Sequence, residues 1–227
     1  MTAPDIPVQP YTDPDDIEAR SMAIIESEAP EPRPFQDEQW LVARRLVHTT
    51  ADFEMLKLLR FSQGAVDAAK AALASGCVIH TDTQMARAAI PARRMRPLGC
   101  EVRCLMDDPG VAAAAKAMGT TRAAAAVDVL AEKWAGAILV VGNAPTALLR
   151  IMEHLDRQEG STSAPALVVG MPVGFVNAAE SKDLLMARND VPWMAIAGRK
   201  GGSALAGAAI NALADVVLAE KGLSGAA

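Results

Sequence analysis

The sequence has few of the residues on which many enzyme classes depend. Its 227 residues include three cysteines and three histidines, and aromatic residues make up only 4% of the chain. No Cys-x-x-Cys, His-Glu-x-x-His or Gly-x-Ser-x-Gly occurs, which argues against structural zinc, zinc proteases and ordinary serine hydrolases. The glycine fingerprint of dinucleotide sites and the phosphate-loop pattern are also missing, so a nucleotide-binding oxidoreductase is weakly supported.

Neither an excess of basic charge nor a long apolar run is present. The net charge is −5 and the pI is about 5.3, with no basic cluster, which argues against nucleic acid as a partner. No run approaches the roughly 20 apolar residues of a membrane span, because Lys116 and Arg122 interrupt the alanine-rich segment. An odd number of cysteines and the lack of a leader pattern predict a reducing cytoplasm. We therefore expect a cytoplasmic protein that binds a small molecule and no membrane.

The apolar pattern predicts an α/β fold. Short apolar runs alternate with helical patterns over the last two-thirds of the chain, which calls for right-handed crossovers and a mostly parallel sheet. The expected strands cover 77–80, 101–105, 137–141, 166–169 and 193–197. The expected helices lie near 83–89, 110–118, 121–134, 144–156, 177–186 and 203–220. This pattern predicts a three-layer, flavodoxin-like domain with a five-stranded sheet and an N-terminal helical extension.

The whole chain is interpreted as one domain with four parts. Asp13 and Pro14 are typical of a helix start, and a second helix is expected over 37–47. The parts are a flexible arm (1–12), the N-terminal helical extension (13–62), the α/β core (63–220) and a tail (221–227).

Three of the predicted strands run into glycine-containing loops. If the strands are parallel, these loops lie along one edge of the sheet, where open α/β folds bind ligands. In the loop from Gly198 to Ser203, Arg199 and Lys200 at a helix start favour an anion site, although a structural turn also explains the glycines. The turn at Gly142 and Asn143 is explained by helix capping or by contact with a ligand. The apolar residues that follow Gly170 suit the face of a flat ligand.

His48 is the histidine with the clearest potential for chemistry. It falls at the C-terminal end of the second predicted helix, where the partial negative charge of unpaired carbonyls favours the imidazolium. That form suits a general acid or a charged hydrogen-bond donor, although a capping role is the structural alternative. His80 is expected near the crevice and His154 on the solvated surface. Cys100 and Cys104 lack two further ligands, so no metal site is predicted.

Six segments occur in the order seen in the precorrin-8X methylmutase family, which the chain resembles from residue 17 to residue 213. They are 19–25, 46–48, 142–148, 170–176, 179–183 and 198–203. The resemblance implies an isomerase on the cobalamin route that moves a methyl group from C-11 to C-12 of the tetrapyrrole. Precorrin-8X or cobalt-precorrin-8 would become hydrogenobyrinic acid or cobyrinic acid. The resemblance implies no cofactor, whether a redox group or an external methyl donor.

The family's catalytic histidine matches His48, which would donate a proton or a hydrogen bond near the migrating methyl. The resemblance also implies a homodimer in which the first two helices help to complete the neighbouring site. Glu180 and Lys182 are interpreted as a structural ion pair. Residues expected to bind the flat, carboxylate-fringed substrate are Arg20, Ser21, Thr83, Arg122, Gly142, Asn143, Thr146, Gly170, Met171, Pro172, Arg199, Lys200 and Ser203.

Two alternatives stay open at this point. The protein could be a non-catalytic corrinoid carrier in which His48 only contacts the ligand, and tight product retention without turnover would identify it. The natural substrate could be the cobalt-containing or the metal-free compound.

The sequence departs from the family pattern just before Arg122, since Thr120 and Thr121 stand where an Asn-Thr pair is expected.

Overall fold

A mixed six-stranded sheet forms the centre of the protein, and helices cover both of its faces. The structure is a computed structural model that describes residues 13–104, 106, 108–157 and 164–223. The predicted arm and the last four residues of the predicted tail lie outside the described residues. The strands are β1 (Leu59–Phe61), β2 (Val78–Thr81), β3 (Glu101–Cys104), β4 (Ile138–Val141), β5 (Leu167–Gly170) and β6 (Trp193–Ile196).

Helices connect the strands in the order that the sequence pattern predicts. Two short 3-10 turns, Arg96–Leu98 and Ala131–Lys133, each continue directly from an α-helix. The helices are α1 (Pro14–Glu28), α2 (Asp37–Thr50), α3 (Met55–Leu58), α4 (Ala65–Ala74), α5 (Gln84–Ala88), α6 (Ala92–Met95), α7 (Pro109–Met118), α8 (Arg122–Leu130), α9 (Pro145–Arg157), α10 (Ala178–Met186) and α11 (Ser203–Glu220).

The order of strands across the sheet is β1-β6-β5-β4-β2-β3. Strands β2 to β6 are parallel to one another, and the predicted alternation of strands and helices is confirmed with strand starts and ends within one residue. The predicted count of five strands is corrected to six, because β1 pairs antiparallel with β6. This strand is three residues long and its partner lies far along the chain, so no local sequence pattern predicts it. It falls inside the segment predicted as a purely helical extension.

The central strands are apolar throughout because both faces of the sheet are buried. Alternate residues of β4 face opposite sides, with Ile138 and Val140 in one core cluster and Leu139 and Val141 in the other. The first cluster lies under α2, α4 and α11, and the second lies under α8, α9 and α10. The three-layer arrangement predicted from the sequence is therefore present.

Helix α11 is the central helix of the first layer. Among the described residues it alone is long and apolar enough to cross a membrane, but 67% of it is buried within the fold, as in a core helix. It packs against α2, and Arg45 on α2 pairs with Asp215 on α11.

Helix α2 ends where Ala51 adopts a left-handed conformation (φ 51°), so it runs three residues beyond the predicted end. The expected place of His48 in its last turn is confirmed.

Candidate active site

The loops after the carboxyl ends of the strands meet at one edge of the sheet. Thr83, after β2, caps α5, and its hydroxyl lies 3.0 Å from the hydroxyl of Ser203 at the start of α11. Gly142, after β4, packs on the backbone of Ser203, since a Cβ there would lie 2.6 Å from its Cα. The Gly202 N–H donates to the Met171 carbonyl at 2.8 Å, which joins the loops after β5 and β6. The structure therefore brings four strand ends together.

Asp82 is a residue of this edge that sequence reasoning missed. Its carboxylate accepts hydrogen bonds from the backbone N–H groups of Gly142 (3.1 Å), Asn143 (2.7 Å) and Ala144 (2.8 Å). Burial raises the pKa of Asp82, although these three hydrogen bonds oppose the rise. The backbone N–H groups expected to face a ligand at this turn are therefore already occupied. The Asn143 N–H is not available to a ligand, whereas its side chain is exposed.

The loop after β5 provides an exposed apolar surface. Met171 and Pro172, which were expected to contact the ligand, are buried and support the loop from its core side. Phe175 and Val176 are 83% and 78% exposed, which is unusual for large apolar side chains. The Arg199 guanidinium lies 5.5 Å from the centre of the Phe175 ring. Gly170 supports this loop by close packing, since a Cβ there would lie 2.4 Å from a methyl group of Leu185.

The N-terminal ends of α8 and α9 lie side by side at the same edge. Thr121 caps α8 by accepting a hydrogen bond from the Ala124 N–H. The Thr121 hydroxyl also donates to the Thr146 hydroxyl at 2.9 Å, which ties α8 to α9. Arg122 follows immediately and its side chain is exposed. The structure thus places Arg122 close to Thr146, as the predicted substrate-binding set requires.

Lys200 joins the loop after β6 to the segment that follows His48. Its ammonium lies 2.7 Å from an Asp52 carboxylate oxygen and 2.5 Å from one of Glu54. Lys182 is fully buried and donates to the Lys200 carbonyl at 2.7 Å. The predicted pair of Glu180 and Lys182 is therefore wrong, because the buried ammonium points to a backbone carbonyl while Glu180 is exposed.

His48 is partly exposed, and α1 passes close to it. Burial raises the pKa of Glu18 on α1, but Arg45, with smaller contributions from His48 and Arg94, lowers it below its ordinary value. Arg20 lies two residues further on and is exposed. The Ser21 hydroxyl donates to the Ile17 carbonyl at 2.8 Å within α1. Helices α1 and α2 therefore lie together, and Arg45 on α2 pairs with Glu18 on α1 at 2.8 Å.

His80 lies in the interior next to this edge, since Asp82 lines the same cavity. It is buried on β2 and lines a cavity of about 30 Å³ under α8 and α9. Its Nδ1 has no hydrogen-bond partner among the described residues. Burial, with a smaller contribution from Arg103, lowers the pKa of His80 to about 4. In the part of the chain that the structure describes, no three His, Cys, Asp or Glu side chains are grouped as metal ligands.

The chain is similar to known proteins along most of its length. The family model described as precorrin-8X methylmutase matches residues 16–216. The chain is 44% identical over 207 residues to a cobalt-precorrin-8 methylmutase of Salmonella typhimurium, which covers 88% of this chain and 94% of that relative. It is 43% identical over 196 residues to a precorrin-8X methylmutase of a Sinorhizobium species, which covers 86% of this chain and 91% of that one.

A solved structure shares the fold as well as the sequence. The precorrin-8X methyl mutase of Thermus thermophilus matches with a TM-score of 0.82 at 45% sequence identity. The match covers 92% of this chain and 98% of that one.

Proposed function

The chain belongs to the precorrin-8X methylmutase family and is an isomerase of corrin-ring biosynthesis, and from this premise we propose how its residues act. The reaction is the migration of a methyl group from C-11 to C-12, which converts precorrin-8X or cobalt-precorrin-8 to hydrogenobyrinic acid or cobyrinic acid. The observation that carries this conclusion is the family match over residues 16–216. The methyl group leaves and rejoins the same ring, so no external methyl donor enters the reaction.

His48 is the proposed donor to the ring. His48 lies in the last turn of α2 and is partly exposed, so its imidazole can reach a bound ligand. A proton or hydrogen bond given to the ring near the migrating methyl stabilises the electron density that shifts during migration. General acid catalysis of this kind contributes about 10² to 10⁴ in rate.

The remaining residues are proposed to hold the flat, polyanionic substrate. Phe175 and Val176 provide exposed apolar surface for a ring face. Arg122 and Arg199 are exposed guanidiniums at the rim, and a guanidinium pairs with a carboxylate through two parallel hydrogen bonds. Further polar contacts to substrate side chains are proposed for Arg20, Ser21, Thr83, Asn143, Thr146 and Ser203. The loop backbone is shaped by Gly142, Gly170, Met171 and Pro172.

We propose that the protein acts as a homodimer. Ile17 and Ile24 are 45% and 55% exposed on α1 and, seven residues apart, share one face of the helix. A second copy that covers this face would bury both residues next to the His48 segment and complete the site. Sedimentation of the Ile17→Glu, Ile24→Glu double variant tests this, and an unchanged sedimentation coefficient would contradict it.

We further propose that the protein works in the cytoplasm without nucleic acid or a membrane as partner. None of Cys77, Cys100 and Cys104 forms a disulfide in the described part of the chain, which suits a reducing compartment. The acidic pI of about 5.3 disfavours nucleic acid as a partner. The carrier alternative has no support from the comparisons.

The test is the visible absorption spectrum of the protein incubated with metal-free precorrin-8X and, separately, with its cobalt form. The wild type should give the product spectrum with at least one of them, and His48→Ala should bind product but lose most of the turnover. Conversion by His48→Ala at the wild-type rate would remove His48 from the mechanism. Tight binding of both compounds without conversion by the wild type would instead indicate a carrier.

His154→Ala is the matched control. His154 lies about 14 Å along α9 from the end at the site, on the basis of 1.5 Å per residue. Its Nε2 is 2.6 Å from Asp128, and its ring packs edge-on to Trp134. This variant should melt at a lower temperature and still convert substrate at the wild-type rate per folded molecule.

A further inference from the structure

Lys182 is a buried cation that the reaction as described does not use. It lies on α10 with no exposed surface, and its Nζ donates to the Lys200 carbonyl at 2.7 Å. No carboxylate among the described residues forms an ion pair with it. Burial lowers the pKa of Lys182 to about 8, while nearby Asp183 opposes the change. A buried ammonium held by a single backbone carbonyl is costly to fold, so its position calls for an explanation.

The carbonyl that Lys182 binds lies at the centre of the loop after β6. On one side of it, Arg199 extends over the exposed Phe175 ring. On the other side, the Lys200 ammonium reaches Asp52 and Glu54, which follow His48 by four and six residues. The orientation of one peptide group therefore sets the direction of two neighbouring side chains. One of them serves the proposed ligand surface and the other fixes the segment behind the proposed donor.

A second contact restricts the same loop. The Gly202 N–H donates to the Met171 carbonyl, and a Cβ on Gly201 would lie 2.2 Å from that carbonyl oxygen. The loop is thus held from the β5 side and from α10, and Lys200 carries its position across to the end of α2. Asp52 also accepts a hydrogen bond from the Glu54 N–H at 2.8 Å, which keeps both carboxylates in place for Lys200.

We propose that Lys182 is a positioning residue of the methylmutase, which acts through the Lys200 peptide to place Arg199 over the ligand surface and His48 beside it. The inference rests on the proposed roles of these two residues. In this arrangement the Lys200 ammonium binds Asp52 and Glu54, the two carboxylates that follow His48 in the chain. Small displacements matter here, because an error of about 1 Å in the placement of a catalytic group can cost about 10²-fold in rate.

The test compares Lys182→Met with the wild type. Methionine has a similar length and fills the buried space without a charge, so the fold has no buried ion to accommodate. We expect kcat/KM to fall at least tenfold, with KM raised and kcat lowered per folded molecule. A purely structural role would lower the melting temperature and the folded fraction but would leave KM unchanged.

Lys221→Met is the matched control. Lys221 also donates its ammonium to a backbone carbonyl, that of Ala74 at 2.6 Å, but after the far end of α11. Its loss should leave KM and kcat unchanged. If Lys182→Met is folded and both of its kinetic constants stay within twofold of the wild type, the positioning role is rejected.

Two further measurements keep the proposal testable if Lys182→Met does not fold. In Lys200→Met the backbone carbonyl and its hydrogen bond from Lys182 remain, and only the ion pairs of the Lys200 ammonium with Asp52 and Glu54 are lost. We expect a several-fold fall in kcat, with the same fall in the Asp52→Asn, Glu54→Gln double variant. Wild-type kinetics in both would overturn the link to His48.

Backbone amide resonances of the ligand-free protein separate this proposal from the proposed function. In Lys182→Met the signals of Gly198, Gly201 and Gly202 should move, and so should those of residues 49–54. This result does not require turnover, so a wild type that converts neither substrate would contradict the function and not the loop geometry. Unmoved signals in a folded variant would contradict the geometry itself.

Discussion

Replacement of Asp82 by alanine should destabilise the protein and loosen the site together. The carboxylate accepts the first three N–H groups of the turn into α9, and its loss leaves all three without their partner. Hydrogen bonds to a charged group contribute about 1.5 to 3 kcal/mol each, and they do not add fully when they share one acceptor. The ionised carboxylate also opposes its own burial, as the raised pKa of Asp82 indicates. We therefore expect a net loss of about 3 to 5 kcal/mol.

The assay is thermal unfolding followed by far-ultraviolet circular dichroism. For a chain of this size, 1 kcal/mol corresponds to about 2 to 4 °C, so the midpoint should fall by roughly 6 to 20 °C. Asp82→Asn keeps one acceptor oxygen and should show about half of this loss. KM for the corrinoid should rise in both variants, because Asn143 and Thr146 lie on the turn that Asp82 fixes.

Asp67→Asn is the control, since Asp67 is an exposed carboxylate in the first turn of α4. Its midpoint should change by less than about 2 °C, as is usual for surface substitutions. A similarly small change in Asp82→Ala would refute the reasoning, because it would mean that water replaces the carboxylate at no cost.

Gly142→Ala should destabilise by about 3 kcal/mol and abolish activity, since the new Cβ would lie 2.6 Å from the Ser203 Cα; calorimetry and turnover test this. Arg122→Ala should raise KM about tenfold or more with kcat retained, and Arg157→Ala, an exposed arginine at the far end of α9, should change neither constant. The pKa of His80 is about 4 in the folded protein, against an ordinary 6.5. As the pH falls, His80 is therefore protonated in the unfolded chain before it is protonated in the folded one. The free energy of unfolding should fall as the pH drops from about 6.5 to about 4. The loss approaches about 3 kcal/mol below pH 4, and His80→Phe should show a weaker dependence of the melting temperature on pH between 7 and 4.5.

The architecture follows from signals that are local in the sequence. In β4 and β5 the runs are apolar without alternation, which is typical of strands covered on both faces, and each ends at a glycine-containing turn. Such signals predicted the parallel strands and the edge on which the loops meet. Strand β1 was not predicted because three residues are too short for a pattern and its strand partner, β6, lies far along the chain.

The structure places Arg122 and Arg199 at the exposed rim, where they remain predicted substrate-binding residues, whereas sequence reasoning missed the contacts of Asp82 and Lys182 that face inward. Arg122 and Arg199 stand at helix starts or in glycine loops, and such positions are visible in the sequence. Asp82 binds amides 60 to 62 positions away, and Lys182 binds a carbonyl 18 positions away, so neither partner can be inferred from spacing. The pair of Glu180 and Lys182 was a wrong interpretation, because side chains two residues apart point to different sides of a helix, and here Lys182 is buried while Glu180 is exposed.

Two charged side chains of opposite sign, the partly buried Asp82 and the buried Lys182, hold the backbone of the loops at the site. Loops expose backbone groups that need partners, and an unpaired buried N–H or C=O is costly. Asp82 meets this need for the amides before α9, and Lys182 meets it for a carbonyl in the loop after β6. Asp82 directly follows β2 and Lys182 lies on α10, so each side chain ties a loop to a regular element of the core. The exposed guanidiniums at the rim are then left for their proposed role in substrate binding, because internal charges satisfy the backbone groups of the loops.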